Sequence, residues 1–311
     1  MNNPKRTIYI DASLIKDSSC LRKICLKTLD GYKGLGRDHK MEYGSAFHLF
    51  TESFYLGASK EAAIMKALEY YTDPSIDIPA GDFRTPEHLL MTCNQYADYW
   101  QQESFEIAIN ANGKPVVEER FCVKVFEDEC CEIWLFGKMD VVGRESGLPT
   151  IMDHKVTSSY NPDSYLAGYD LSTQLLVYDY GVRALAAEFP ATFADYSDPY
   201  FLIDGIFISK SKKAQFVRSN QIHFSPEKRR WFKRMLANLC IEISFNALCN
   251  ADVLYEPTGF LTGACDGRFF KPCEFCGVCR EDNLEIAKLK LAGDFEQRPY
   301  NPNIYGGESE L

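Results

Sequence analysis

Apolar residues recur at helical spacing through the first third of the chain. Phe47, Phe50 and Phe54 are three and four residues apart, as one face of an amphipathic helix requires, and Gly57 follows as a terminator. The helical patterns cover residues 43–55, 59–71 and 86–108, with one or two short helices within 9–33. The N-terminal third is therefore predicted to be helical.

The pattern changes after Pro115 to short runs rich in β-branched and aromatic residues. Strands are predicted over 116–126, 132–144, 148–159, 201–209 and 214–224, and helices over 164–187 and 226–248. This order predicts one α/β domain over 1–311. Its parts are an N-terminal segment 1–42, a core 43–225 with a helical insertion at about 59–108, and a C-terminal segment 226–311.

Composition narrows the class of protein. Of the 311 residues, 46% are hydrophobic and 14% aromatic, which excludes a disordered chain. The apolar runs are shorter than a membrane span, and the first residues do not resemble an export signal. We therefore expect a soluble, cytoplasmic protein with no membrane partner.

The net charge of −10 conceals a basic stretch. Residues 210–234 contain nine Lys and Arg residues against one acid, Glu227. Such a stretch fits a polyanionic partner, with Lys210, Lys212 and Lys213 as nucleic-acid-binding candidates. The alternative is a set of solvated helix faces.

Cysteine is concentrated near the C-terminus. Of the twelve cysteines, Cys265, Cys273, Cys276 and Cys279 fall within fifteen residues. In a reducing compartment such clustered thiols indicate a soft metal site rather than disulfides. Zinc and an iron–sulfur cluster both fit this spacing.

Two aspartates fall on neighbouring predicted strands. In the run IMDHKVT, strand alternation places Asp153 and Lys155 on one face and His154 on the other. Asp140 ends the preceding strand, and a hairpin through 143–147 would bring it next to Asp153. Close carboxylates repel each other unless a divalent cation lies between them. The pattern indicates a metal site beside a fixed ammonium group, and the alternative is a solvated hairpin.

Two helices carry further candidate side chains. His48 lies in the apolar helix predicted over 43–55, with Glu52 one turn later on the same face. A lone histidine there is commonly a core residue, and it is a ligand candidate only where its helix faces the hairpin. Gln174 and Tyr178 also share a helix face, and alone they fit ordinary polar surface.

These motifs together resemble the PD-(D/E)XK nuclease superfamily. They occur in the order CLRK with Cys20, GSAFH ending at His48, GKMD ending at Asp140, DHK over 153–155, QLLVY over 174–178, and the terminal cysteines. More narrowly, the chain resembles RecB-like exonucleases with an iron–sulfur cluster: the AddB type, CRISPR-associated RecB-like nucleases and phage relatives. The resemblance covers residues 9–280.

The resemblance implies a fold and two cofactors. The fold is a restriction-endonuclease-like α/β core, a central mixed sheet flanked by helices, with helical additions. A 4Fe–4S cluster would staple the N- and C-terminal segments through Cys20, Cys265, Cys273 and Cys279. Cys276 is the alternative to Cys265, and Cys25 is the alternative to Cys20.

The resemblance also implies roles for the site residues. His48, Asp140, Asp153 and the backbone carbonyl of Val156 would bind Mg²⁺ or Mn²⁺, and Lys155 would position or activate the attacking water. Asp140, Asp153 and Lys155 are thus the catalytic candidates. Gln174 and Tyr178 would contact nucleic acid, and Glu118 or Glu119 matches an accessory acid.

The implied function is a metal-dependent deoxyribonuclease, an exonuclease on single-stranded DNA or DNA ends. It would serve replication, recombination and repair, or phage and defence DNA processing, with a helicase or recombinase partner. The alternatives are a non-catalytic nucleic-acid-binding subunit and a zinc-binding interaction protein. The sequence lacks a phosphate-binding Gly-x-x-x-x-Gly-Lys-[Ser/Thr] loop, so ATPase activity is not expected.

Overall fold

A computed structural model describes residues 5–101, 103–211, 213–248, 258–259, 265 and 272–298. The chain forms two compact units. The terminal unit combines residues 1–35, 122–137 and 226–311, and the central unit combines 36–121 and 138–225. Within the described residues, no helix is long and apolar enough to cross a membrane.

The strands and helices are numbered in chain order. The strands are β1 (Arg6–Ile10), β2 (Tyr32–Gly34), β3 (Glu106–Ile107), β4 (Val117–Glu127), β5 (Cys131–Glu145), β6 (Leu148–Thr157), β7 (Tyr200–Phe207), β8 (Gln215–Arg218), β9 (Ile222–His223) and β10 (Phe295–Gln297). The helices are α1 (Ala12–Lys16), α2 (Leu21–Thr28), α3 (His39–Tyr55), α4 (Lys60–Tyr71), α5 (Pro86–Tyr99), α6 (Pro162–Ala167), α7 (Thr173–Glu188), α8 (Pro190–Phe193), α9 (Pro226–Leu248), α10 (Cys276–Cys279) and α11 (Leu284–Asp294). Short 3₁₀ turns cover Asp17–Ser19, Gly168–Leu171 and Ala194–Ser197.

The central unit contains a mixed sheet. The second half of β5 pairs antiparallel with β6. β6 in turn pairs parallel with β7 over the whole length of β7. β8 and β9 then pair antiparallel with β7. The predicted α/β architecture with a central mixed sheet is confirmed.

A two-residue turn joins β5 to β6. Ser146 and Gly147 both have positive φ, at 52° and 79°, and the pair Glu145–Leu148 closes the turn. Two successive residues of positive φ match the twist of the flanking strands, so this turn fixes the strand register. Gly143 lies within the β5 ladder, not in the turn, and a Cβ there would approach the carbonyl oxygen of Glu106 to 2.3 Å.

Helices cover both faces of this sheet. On one face, α3, α4 and α5 pack against β7 and β8 in an apolar cluster that includes Phe47, Phe50, Ala67, Leu89, Tyr96, Ile206 and Phe216. On the other face, α7 lies close to β4, because a Cβ at Gly181 would be 2.4 Å from the ring of Phe121. The sheet and its functional residues are therefore held between two helical layers.

Several elements of the structure differ from those predicted. The helix predicted over 164–187 is interrupted, because Ser172 caps α7 by accepting a hydrogen bond from the Leu175 N–H. The helix predicted over 86–108 ends at Tyr99. The short strand β1 falls where the sequence analysis predicted no strand.

The terminal unit joins the two ends of the chain. β1 pairs parallel with the start of β5, and β2 pairs antiparallel with β10. α2 packs against α10 and α11, where the rings of Phe275 and Phe295 stack 4.6 Å apart. N- and C-terminal segments thus share one apolar core.

An ion pair with little solvent exposure stabilises the central unit. The Arg218 guanidinium donates two hydrogen bonds to Glu103, at 2.8 and 2.6 Å, and lies 3.7 Å over the Trp100 ring. Burial raises the pKa of Glu103, but these hydrogen bonds and the arginine charge outweigh it and lower the pKa. The Tyr55 hydroxyl donates to the same carboxylate at 2.9 Å.

Glu103→Gln should lower the free energy of unfolding by about 2–4 kcal/mol at pH 7, because Arg218 would lose its partner. The lowered pKa means that the pair stabilises the fold above pH 4.5 and loses that effect as pH falls. Urea denaturation at several pH values measures both. The control Lys60→Ala, at the exposed Lys60–Asp98 pair, should cost under about 1 kcal/mol. Equal costs for the two variants would contradict the assignment.

Candidate active site

The β5–β6 register brings the two predicted aspartates together. Val141 of β5 pairs with Met152 of β6, so Asp140 and Asp153 occupy the next opposed positions. Both carboxylates are buried, with Asp153 fully inaccessible. Burial raises the pKa of Asp153, and the charge of Asp140 acts in the same direction. The hairpin predicted from sequence therefore exists and places the pair in a buried setting.

Asp140 is surrounded by hydrogen-bond donors. Its Oδ2 accepts the backbone N–H of His154 at 2.8 Å and lies 3.2 Å from Nδ1 of His48 in α3. Burial favours the neutral acid, but the His48 charge and these hydrogen bonds hold the pKa of Asp140 well below its usual value. Burial lowers the pKa of His48, but Asp140 outweighs it and the net shift is upward. α3 therefore does face the hairpin, and His48 is a partner of Asp140.

Asp153 is held by β6 and α7. Its Oδ2 lies 2.6 Å from the Lys155 ammonium. Its Oδ1 accepts hydrogen bonds from Gln174 at 3.1 Å and Tyr178 at 3.3 Å, and Gln174 also donates to the Tyr178 hydroxyl at 2.7 Å. Burial raises the pKa of Asp153 more than Lys155 lowers it. The Gln-x-x-x-Tyr pair thus orients one catalytic candidate.

Glu118 is a third acid beside these groups. Burial and then Asp140 raise its pKa, whereas burial alone raises the pKa of Glu119. The Glu118 carboxylate forms an ion pair with Lys138. Glu118 also has φ of +56°, a conformation that costs energy for a residue with a side chain. Of the two accessory candidates, Glu118 is the one that faces Asp140.

His154 is a further residue of the site, which the sequence motifs did not indicate. His154 is fully buried, with Nδ1 3.4 Å from Oδ2 of Asp140 and Nε2 3.2 Å from the Tyr96 hydroxyl. Tyr96 in turn donates to Asp204 at 2.6 Å. Alternation explains the direction of the His154 ring, toward α5 and away from α7. Its position between Asp153 and Lys155 was the signal available in the sequence.

The donor set fits a divalent cation. In the described part of the chain, His48, Asp140 and His154 offer three ligand atoms that all lie within 4.8 Å of one another. The carboxylates of Asp153 and Glu118 lie beside this set, each with a lysine as its ion-pair partner. Carboxylate oxygens suit Mg²⁺ and Mn²⁺, and an imidazole nitrogen favours Mn²⁺ of the two. A cation here would relieve the repulsion among the three acids.

Other predicted residues lie elsewhere. Glu52 forms an ion pair with Lys66 at 3.1 Å rather than facing the hairpin. Val156 follows Lys155 in β6, and its role as a carbonyl ligand stays a prediction. Lys210 and Lys213 are exposed after β7, and Lys212 falls outside the described residues. The basic residues of 228–234 belong to α9 of the terminal unit.

The terminal unit gathers the predicted cluster cysteines. A Cβ at Gly259 would lie 3.0 Å from both Cys20 Cβ and Cys265 Sγ, so these two side chains share one small space. Burial raises the pKa of the Cys265 thiol to about 11. Four neighbouring thiols act in the same direction: Cys20, Cys273, Cys279 and Cys276. Five thiols from both chain ends thus meet in the terminal unit.

The order of motifs and the site geometry agree with one family. A sequence model of the PD-(D/E)XK nuclease superfamily matches residues 18–280. The chain belongs to this superfamily. Nucleases of the superfamily hydrolyse phosphodiester bonds of nucleic acid with divalent metal ions. The acidic and histidine side chains of this PD-(D/E)XK protein are of the kind that bind such ions.

Two solved structures are similar to this PD-(D/E)XK chain. A Eubacterium rectale protein provisionally named an exonuclease has 15% identity and a TM-score of 0.44, over 82% of this chain and 92% of that one. The protein SSO0001 has 11% identity and a TM-score of 0.32, over 79% of this chain and 87% of its own. Among curated proteins, none matches this sequence.

Asp140→Asn and His48→Ala should each weaken Mn²⁺ binding by more than about tenfold, because each removes a donor from the buried set. Isothermal titration of the purified protein with Mn²⁺ measures the affinity. Glu52→Gln is the matched control, since Glu52 lies in the same helix as His48 but pairs with Lys66. Wild-type affinity in both site variants would exclude this cluster as the metal site.

Proposed function

We propose that this protein is a metal-dependent deoxyribonuclease that removes nucleotides from single-stranded DNA or DNA ends. The observation that supports it best is a cluster of three acids, the buried Asp140 and Asp153 and the 11% exposed Glu118, with two cationic groups, His48 and Lys155. Acids held close together with little solvent are costly to a fold and are typical of a site that holds a cation. Superfamily membership supplies the reaction class, phosphodiester hydrolysis.

Each residue has a role that its surroundings support. His48, Asp140 and Asp153 would hold the ion, with the Val156 carbonyl as a further ligand. When bound, the ion supplies a Lewis acid and lowers the pKa of a coordinated water. Glu118, whose pKa is raised, is suited to accept or relay a proton beside Asp140.

Lys155 is the fixed cation of the site. Burial lowers its pKa, but Asp153 and Asp140 outweigh burial and keep the ammonium charged. A charged amine two residues from Asp153 would orient the attacking water and neutralise charge that develops on the phosphoryl oxygens. Gln174 and Tyr178 hold Asp153 in position and would contact the nucleic acid.

The finer parts of the proposal come from the resemblance. The preference for DNA ends, a role in replication, recombination, repair or phage and defence processing, and a helicase or recombinase partner follow the RecB-like nucleases. The composition supports a cytoplasmic location, and the resemblance adds that the cell would be a bacterium or a phage-infected host. The exposed Lys210 and Lys213 support a polyanionic substrate at the central unit.

Asp153→Asn should reduce Mn²⁺-dependent cleavage by at least about 100-fold, because it removes a metal ligand and the partner of Lys155. End-labelled single- and double-stranded DNA and RNA, assayed with Mg²⁺, Mn²⁺ or EDTA, give the rate and the substrate class. Asp98→Asn, at an exposed ion pair, is the control and should keep full activity. Undiminished cleavage by Asp153→Asn would contradict the proposal.

We also propose a structural 4Fe–4S cluster on Cys20, Cys265, Cys273 and Cys279. The mutual proximity of thiols from both chain ends supports it. After burial, Cys20 is among the thiols that raise the pKa of both Cys265 and Cys273, whereas Cys25 acts on neither, which favours Cys20 as the N-terminal ligand. The cluster would fasten the N-terminal segment to the C-terminal one.

Cys279→Ser should lower iron content and thermal stability together, because one of four ligands is lost. Iron, zinc and sulfide analysis of anaerobically purified protein gives the ratio to protein. Cys122→Ser, at an exposed thiol, is the control, and Cys276→Ser should keep its iron. Zinc in place of iron, or loss of iron only in Cys276→Ser, would contradict this assignment.

A further inference from the structure

Two loops share one edge of the central sheet. β6 and β7 are parallel, and their pairing runs to Thr157 and Phe207 at their C-terminal ends. The Ile208 N–H then donates to the Thr157 carbonyl at 2.8 Å, which keeps the departing chains together. The described residues of the two loops that follow, 158–161 on one side and 208–211 and 213–214 on the other, therefore lie side by side. Lys155, two residues before the end of β6, connects this edge to the candidate active site.

Tyr160 lies fully in solvent on the first loop. Its side chain is 99% exposed, the highest value among the exposed large hydrophobic residues of the described chain. The loop around it is fixed. Arg84 donates to the Ser158 hydroxyl at 3.1 Å, and Asn161 caps α6 by accepting the Ser164 N–H at 3.0 Å. The ring thus extends from a hydrogen-bonded loop and packs against none of the residues that the structure describes.

The second loop carries cations. Lys210 and Lys213 are both exposed. The loop is anchored on both sides, since the Ser209 carbonyl lies 3.0 Å from Nε2 of His88 and the Ala214 N–H donates to Gln95 at 2.8 Å. The ammonium groups of Lys210 and Lys213 therefore belong to an anchored segment beside the Tyr160 loop.

More tyrosines connect this edge to the catalytic groups. The hydroxyls of Tyr165 and Tyr169 lie 3.0 Å apart, and the Tyr165 ring packs against Phe207 at 5.6 Å. Tyr165 acts electrostatically on Lys155, and Asp153 acts on Tyr169. Aromatic side chains thus continue from the edge to the acids that would bind metal.

We propose that this edge, residues 158–161, 208–211 and 213–214, binds an unpaired DNA strand as it enters the active site. Tyr160 would stack on a base, while Lys210 and Lys213 would contact phosphates. Bases of a duplex are already stacked on both faces, so an isolated exposed ring selects a single strand. This inference rests on the proposed nuclease function and adds the residues that would select a single strand over a duplex.

The test uses the full chain carrying Asp153→Asn, so that DNA is bound but not cut. Fluorescence anisotropy measures the affinity for a labelled oligothymidine and for a blunt duplex. Adding Tyr160→Ala should weaken oligothymidine binding by about 5- to 100-fold and leave duplex binding unchanged. Tyr160→Trp should restore the affinity. Phe245→Ala, at a 66% exposed aromatic of α9, is the matched control and should have no effect.

Charge is tested separately from stacking. Lys210→Ala with Lys213→Ala should reduce the slope of log affinity against log salt by about 1.4, the value for two phosphate contacts on a single strand. Unchanged oligothymidine affinity in Tyr160→Ala, or an equal loss for the duplex, would overturn the inference while nuclease activity of the wild type stands. Absence of all cleavage by the wild type would instead overturn the proposed function.

Discussion

The register of the β5–β6 hairpin is the constraint on which the candidate site depends. Ser146 and Gly147 close the turn in a conformation that matches the twist of the strands, and the pairing then counts outward without a gap to Val141 and Met152. Asp140 and Asp153 follow as the next pair. A shift of one residue would turn one strand's side chains to the opposite face and separate the acids. The conformation of the turn thus determines that the two aspartates meet at the other end of the hairpin.

Burial increases the energetic cost of keeping the acids of the site charged. Asp140 is kept charged by His48 and backbone donors, whereas the pKa values of Asp153 and Glu118 are raised because burial opposes their charge. Lys155 is the compensating ammonium for Asp153. This division leaves a compact set of oxygens and nitrogens that a bound divalent cation would stabilise. Such a site is costly for folding and useful for phosphodiester hydrolysis, which fits the superfamily to which the chain belongs.

Much of this arrangement could be predicted from the sequence, because alternation in β6 and the spacing to Asp140 are local properties. The choice between Glu118 and Glu119 could not, since the positive φ of Glu118 breaks the alternation that would have decided it. The contact of His154 with Asp140 could not be predicted either. The backbone N–H of His154 donates a hydrogen bond to Asp140, and every residue except proline has such a donor, so the residue type does not indicate the contact. The break before α7 depends on a serine cap whose strength periodicity alone does not indicate.

The central claim is that Asp140, Asp153 and His48 hold one divalent ion. Crystals of the wild-type protein grown with Mn²⁺, with anomalous scattering recorded at the manganese edge, test it most directly. The account predicts one anomalous peak at coordination distance, about 2.0–2.4 Å, from both aspartates and from the His48 imidazole. A peak bound by other side chains, or saturating Mn²⁺ with no peak between the two aspartates, would contradict it.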